Sequence, residues 1–117
     1  MENEICILSG LVIPKGKMSK EHYLPKSVCP PEIYSLPDNI FPAIKCFNWV
    51  KGNLYPCEWM DRRYELCFKA LSWNIRRDDK KLIKRALANG MPEFNPCDYC
   101  VARVYREWCK KYIEKVM

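Results

Sequence analysis

A chain of 117 residues with 49 % hydrophobic residues, including 4 Trp, 7 Tyr and 4 Phe, holds enough apolar material for a packed core, which excludes global disorder. Its formal net charge of +6 is unevenly placed: residues 61–85 carry nine Lys/Arg against four Asp/Glu, while residues 1–60 carry six of each. The apolar run at 5–13 is too short and interrupted to span a bilayer, and the acidic first four residues lack the basic segment of a targeting signal, so the expected setting is cytoplasmic with no membrane partner.

In chain order, residues 1–55 are rich in Pro and Gly with short β-type runs, and residues 56–117 read as helices, together one domain over 1–117. A first strand is expected at 18–23 and a second at 40–44, paired as a hairpin-like unit. Between them, residues 25–37 hold four of the nine prolines, which predicts no helix there. A short helix follows near 46–48. Pro56 suits the first position of a longer helix, with Glu58 in its first turn. Met60, Tyr64, Cys67, Phe68 and Leu71 recur at helical spacing as its expected buried stripe. Asp78 is the expected N-cap of the next helix, which stops at Asn89-Gly90. Asn95-Pro96 opens a third, with Val101, Val104, Tyr105, Trp108 and Tyr112 facing inward. The fold class is therefore α+β: a small ββα unit with a helical C-terminal extension packed on it.

The helix at 78–89 is two-sided. Leu82, Ile83, Ala86 and Leu87 fall on one arc, and Lys80, Lys81, Lys84 and Arg85 on the other. Four cations opposite a buried stripe suit a polyanion, because each phosphate they neutralise releases counterions. Arg62, Arg63, Arg76 and Arg77 extend the expected patch. A merely solvated helix face is the plainer reading of the same pattern.

The chemistry is carried by fewer residues. Glu21 precedes His22, the sole histidine; Asn39 follows, and Asn48 stands ahead of Trp49-Val50-Lys51-Gly52. The strings "KEHYLPKS", "LPDNI" and "FNWVKGN", with nine residues from Asn39 to Asn48, resemble the HNH nuclease family over residues 6–53. That resemblance implies a ββα-metal fold and a metal-dependent endonuclease acting on DNA, with RNA kept open as substrate. It assigns Glu21 and Asn48 as ligands of Mg²⁺ or another divalent cation, His22 as the general base, and Asn39 as the residue that braces the loop and orients the histidine. Lys51 resembles a position that contacts the phosphate backbone.

These types fit the chemistry. Phosphodiester hydrolysis needs an activated water, which a neutral imidazole deprotonates. It also needs charge neutralisation by a hard cation, for which one carboxylate and one amide oxygen suffice as protein ligands. Adjacent strand residues point to opposite faces, so for Glu21 and His22 to share a site the strand must end or bulge there. The rival reading is a non-catalytic HNH-derived module that binds nucleic acid or protein.

Many HNH proteins hold a structural zinc on two CxxC knuckles, and this chain departs from both. The first reads Cys6-Ile7-Leu8-Ser9, and the second would need cysteines where Ile44 and Phe47 stand, with Cys46 out of register. One intact CxxC remains at Cys97-Asp98-Tyr99-Cys100. A displaced structural Zn²⁺ on Cys97 and Cys100, completed by Cys6, Cys46 or Cys57, is the expectation set against plain core thiols. Cys67 and Cys109 read as core, and a thioredoxin-like redox role lacks its βαβ setting.

Overall fold

The computed structural model describes residues 4–103 and Cys109. Strand β1 (Met18–His22) pairs antiparallel with β2 (Ile40–Ile44), Met18 opposite Ile44 and His22 opposite Ile40. Pro42 is tolerated inside β2 because a two-stranded sheet leaves each strand one free edge, and there its carbonyl accepts the Ile7 N–H at 3.1 Å. The connection between the strands departs from expectation. Pro31–Tyr34 forms a one-turn helix, α1, after Pro30. A proline at the first helical position sacrifices no intrahelical hydrogen bond, so the proline-rich loop admits a single turn.

Helix α2 (Lys45–Lys51) leaves β2 without a linker and stops at Gly52, whose φ of 57° is the left-handed conformation glycine adopts freely. The order is thus strand, strand, helix, in a small mixed α+β fold. Helix α3 (Pro56–Ala70) opens on Pro56, and Glu58 reaches back to the Tyr55 N–H at 3.1 Å. Its buried face differs from the expected stripe: Pro56, Trp59, Arg63, Cys67 and Ala70 face inward, while Phe68 is 72 % exposed and Tyr64 is also exposed. Arg63 explains the rotation. Its guanidinium is buried against the Pro92 carbonyl, and the neighbouring Tyr64 hydroxyl accepts the Met91 N–H at 2.7 Å.

Helix α4 (Arg77–Asn89) has Arg76 at its N-cap position, two residues before the expected Asp78, which leaves Asp78 and Asp79 in the first turn near the positive end of the helix. Both carboxylates pair with Lys17, just before β1, at 2.7 and 3.0 Å. Gly90 ends α4 as expected. After it, Pro96–Tyr99 and Val101–Arg103 are 3₁₀ turns where an α-helix was expected, with the Asn95 side chain accepting the Cys97 N–H. Val104, Tyr105, Trp108 and Tyr112 of that expected inner face lie outside the described residues.

Two apolar clusters hold these elements. The larger joins the inner face of the sheet to α2, α3 and α4 through Ile44, Phe47, Val50, Trp59, Ile83 and Ala86. Trp59 also donates its indole N–H to the Leu8 carbonyl at 3.2 Å, which pins the N-terminal segment. The smaller cluster gathers Leu24, Cys29 and Ile33 from the loop after β1 around Ala102. No helix among the described residues is long and apolar enough to cross a membrane.

Gly10 closes the N-terminal turn at φ +79°, and a Cβ there would run into the Pro92 ring. Gly10→Ala is expected to cost at least about 1 kcal/mol from the backbone conformation alone. Urea unfolding measures it; an unchanged midpoint would contradict this account of the turn.

Candidate functional site

The ββα unit brings two pairs of side chains together by simple periodicity. Ser19 and Glu21, two apart on β1, share the face that α2 covers; Asn48 and Lys51, three apart on α2, share the helix face that meets it. Asn48 donates from Nδ2 to Ser19 Oγ at 3.2 Å, and Ser19 in turn donates to the Ala43 carbonyl at 3.1 Å. This uses the nitrogen end of the Asn48 amide, leaving the oxygen as its coordinating end. One step along, Lys51 Nζ donates to Glu21 Oε1 at 3.0 Å, with Lys51 1 % and Glu21 2 % exposed.

That ion pair lies in the interior. Burial pushes the Glu21 carboxyl up and the Lys51 ammonium down, and their mutual attraction pulls each part of the way back. Glu21 Oε2 has no hydrogen-bond partner among the described residues. A buried carboxylate oxygen with an unmet demand is a position where a cation would be welcome.

His22 ends β1, as a shared site with Glu21 requires, and its ring meets the edge of Tyr34 with centroids 5.7 Å apart. Partial burial lowers its pKa below the ordinary imidazole value, helped by the positive charges of Lys26 and Lys51, which favours the neutral ring. Behind it, buried Asn39 spends its whole amide on the loop. Its Oδ1 accepts the Leu24 N–H at 2.8 Å, and its Nδ2 donates to the carbonyls of Leu24 at 3.2 Å and Tyr34 at 2.9 Å. The chain leaving His22 is thereby clamped to the turn that enters β2.

Glu21, His22 and Asn48 line one open cleft of about 230 Å³, with Pro25, Lys26 and Asn53 on its walls. Lys51, expected at a backbone phosphate, is buried against Glu21 instead; Lys26, on the exposed rim, is the cation that faces the cleft. Neither Ser19 nor Lys51 stood out in the sequence as a partner of these residues. The signal that finds them is the match of a two-residue strand step to a three-residue helix step.

A hard divalent cation fits this donor set. Glu21, whose unpaired Oε2 is buried, and Asn48 are both residues of the same cleft and carry the carboxylate and amide oxygens that a hard cation takes, the remaining coordination falling to water and substrate. Among the described residues, no three His, Cys, Asp or Glu side chains already form a metal-holding group.

The other expected contacts separate. On α4, Leu82, Ile83 and Ala86 are buried, while Lys81, Lys84 and Arg85 are exposed and Lys80 is half-buried, as the two-sided pattern predicts. Arg76, Arg77 and Arg62 are exposed, but Arg63 is buried and drops out of that patch. Cys6 sits in the larger core, its Sγ accepting the Ile44 N–H at 3.3 Å, in the same cluster as Cys46 and Cys67. Cys97 and Cys100 lie elsewhere, around a small cavity shared with Cys57 and Cys109, so Cys6 does not join them.

Comparison of the chain with known protein families, with curated proteins and with solved structures finds no match.

Proposed function

We propose that the protein is a metal-dependent endonuclease of the HNH type, hydrolysing phosphodiester bonds in DNA at the Glu21–His22–Asn48 cleft. The observation that carries this reading is the meeting of three residues from β1 and α2 on one open cleft. An imidazole nitrogen of His22 takes the proton from the attacking water. Asn39 fixes the loop that carries His22, so the ring is positioned before substrate arrives. Glu21 and Asn48 would hold the divalent cation through Oε2 and Oδ1. When bound, it supplies charge neutralisation on the phosphoryl oxygens and on the leaving oxygen. Lys26 meets the scissile phosphate at the rim, and Lys81, Lys84 and Arg85 on α4 add sequence-independent phosphate contacts.

One observation favours the rival reading, a non-catalytic nucleic-acid- or protein-binding module: Lys51 already neutralises Glu21. Incubation with supercoiled plasmid and Mg²⁺ or Mn²⁺ separates the two. The nuclease nicks or linearises DNA, and excess EDTA stops it. Retarded but uncut DNA under every divalent cation tried would establish the binding module and overturn the nuclease.

A further inference from the structure

Four of the eight cysteines meet at a second place, unrelated to the cleft. Cys57 is the second residue of α3; Cys97 and Cys100 bracket the 3₁₀ turn Pro96–Tyr99; Cys109 comes from the chain beyond it. All four line one cavity of about 20 Å³, walled otherwise by apolar groups such as Pro56 and Pro96. That is the room of about one small sphere. We propose that Cys57, Cys97, Cys100 and Cys109 form a tetrathiolate site for a soft divalent cation of the zinc class, which ties the segment after α4 to the start of α3.

Several observations converge on this. No carboxylate or imidazole is among the described residues lining the cavity, so its donors are sulfur, the set that selects zinc over magnesium. The Cys97 turn is preformed: Asn95 Oδ1 holds the Cys97 N–H, and the Cys100 N–H bonds the Cys97 carbonyl at 3.2 Å. Cys57 stands in the first turn of a fifteen-residue helix, whose positive end favours a thiolate. Each thiol that ligates gives its proton to solvent.

The other four cysteines lie away from this cavity: Cys6, Cys46 and Cys67 in the larger core, and Cys29 with its Sγ donating to the Pro25 carbonyl at 3.5 Å. The segment after α4 also has a use for a clip. Its described part contains only 3₁₀ turns, and small folds are commonly stapled by a metal.

As placed, the four sulfurs line the wall and no three of them yet form a metal-holding group. A cysteine sulfur moves between staggered wells by one torsion, without backbone movement. Binding is expected to draw each to about 2.3 Å from the ion.

The test uses the full chain, purified without chelator. Elemental analysis should find about one zinc per chain, and Co²⁺ exchanged in its place should show the intense visible bands of a tetrahedral thiolate site. Thiol alkylation mapped by mass spectrometry should find Cys57, Cys97, Cys100 and Cys109 protected with metal and exposed after chelation. Cys100→Ser should lose the metal and the Co²⁺ bands. Because that variant can also unfold, the alkylation map on the unaltered chain stands independently of it. A metal-free chain that takes up no Co²⁺, protection mapping to other cysteines, or a Cys97–Cys100 disulfide would each overturn the site. DNA cleavage is not a readout here, so failure of this proposal is distinguishable from failure of the nuclease reading.

Discussion

His22→Ala is expected to slow single-turnover plasmid cleavage by about 10² to 10⁴, the range attributable to one general base. The only imidazole of the chain lies at the cleft, and among the described residues there no second group offers a neutral nitrogen base. The loss should fall on chemistry and spare DNA binding, because the cations assigned to phosphate contact lie on Lys26 and α4. It should also spare the fold, since His22 is half-exposed and its recorded ring contact is an edge against Tyr34.

The pH profile adds a second mark. His22 acts as a base only when neutral, so cleavage should rise with pH through an apparent pKa below the ordinary value of about 6.5 and level off above it. The direction follows from burial first and from the charges of Lys26 and Lys51 second. Wild-type cleavage in His22→Ala, or an acid limb lying above pH 6.5, would remove His22 from the role of base.

Lys51→Met is expected to destabilise the protein by about 3–5 kcal/mol, because it leaves the Glu21 carboxylate buried and uncompensated. The size comes from the environment: both partners lie out of water, unlike the Arg62–Glu65 and Lys69–Glu65 pairs on the outside of α3. Removing both charges together, in Lys51→Met with Glu21→Gln, should recover most of that loss, since no unpaired ion then remains inside. The same logic bears on metal. Without its ammonium neighbour, Glu21 gains more from a divalent cation, so Mn²⁺ should raise the melting temperature of Lys51→Met more than that of the parent. Calorimetry with and without Mn²⁺ measures both effects. A single variant as stable as the parent would show that the pair is not the buried brace inferred here.

Some of this was legible in the chain and some was not, for identifiable reasons. The second strand, the start of α3 at Pro56 and the end of α4 at Gly90 are marked by residues whose backbone preferences act locally. The order of Glu21, His22, Asn39 and Asn48 likewise located a cleft that three of them line and a loop that the fourth clamps. Burial of charge was not legible. Arg63 and Lys51 are both residues that composition assigns to the surface, and both are inside because a distant carbonyl or carboxylate receives them. With Arg63 inside, the inner face of α3 turns away from Tyr64 and Phe68, where apolar spacing alone places it. That Cys57, rather than Cys6 or Cys46, stands with Cys97 and Cys100, and that Cys109 joins them, was equally hidden, since thirty-nine residues lie between Cys57 and Cys97 and only the tertiary fold closes that gap.

Anomalous scattering from a crystal soaked in Mn²⁺ tests the central claim most directly. A peak beside His22, within bonding distance of Glu21 Oε2 and Asn48 Oδ1, is the predicted result. Full occupancy of Mn²⁺ elsewhere, with Lys51 still the sole partner of Glu21 and the cleft holding only water, would contradict it.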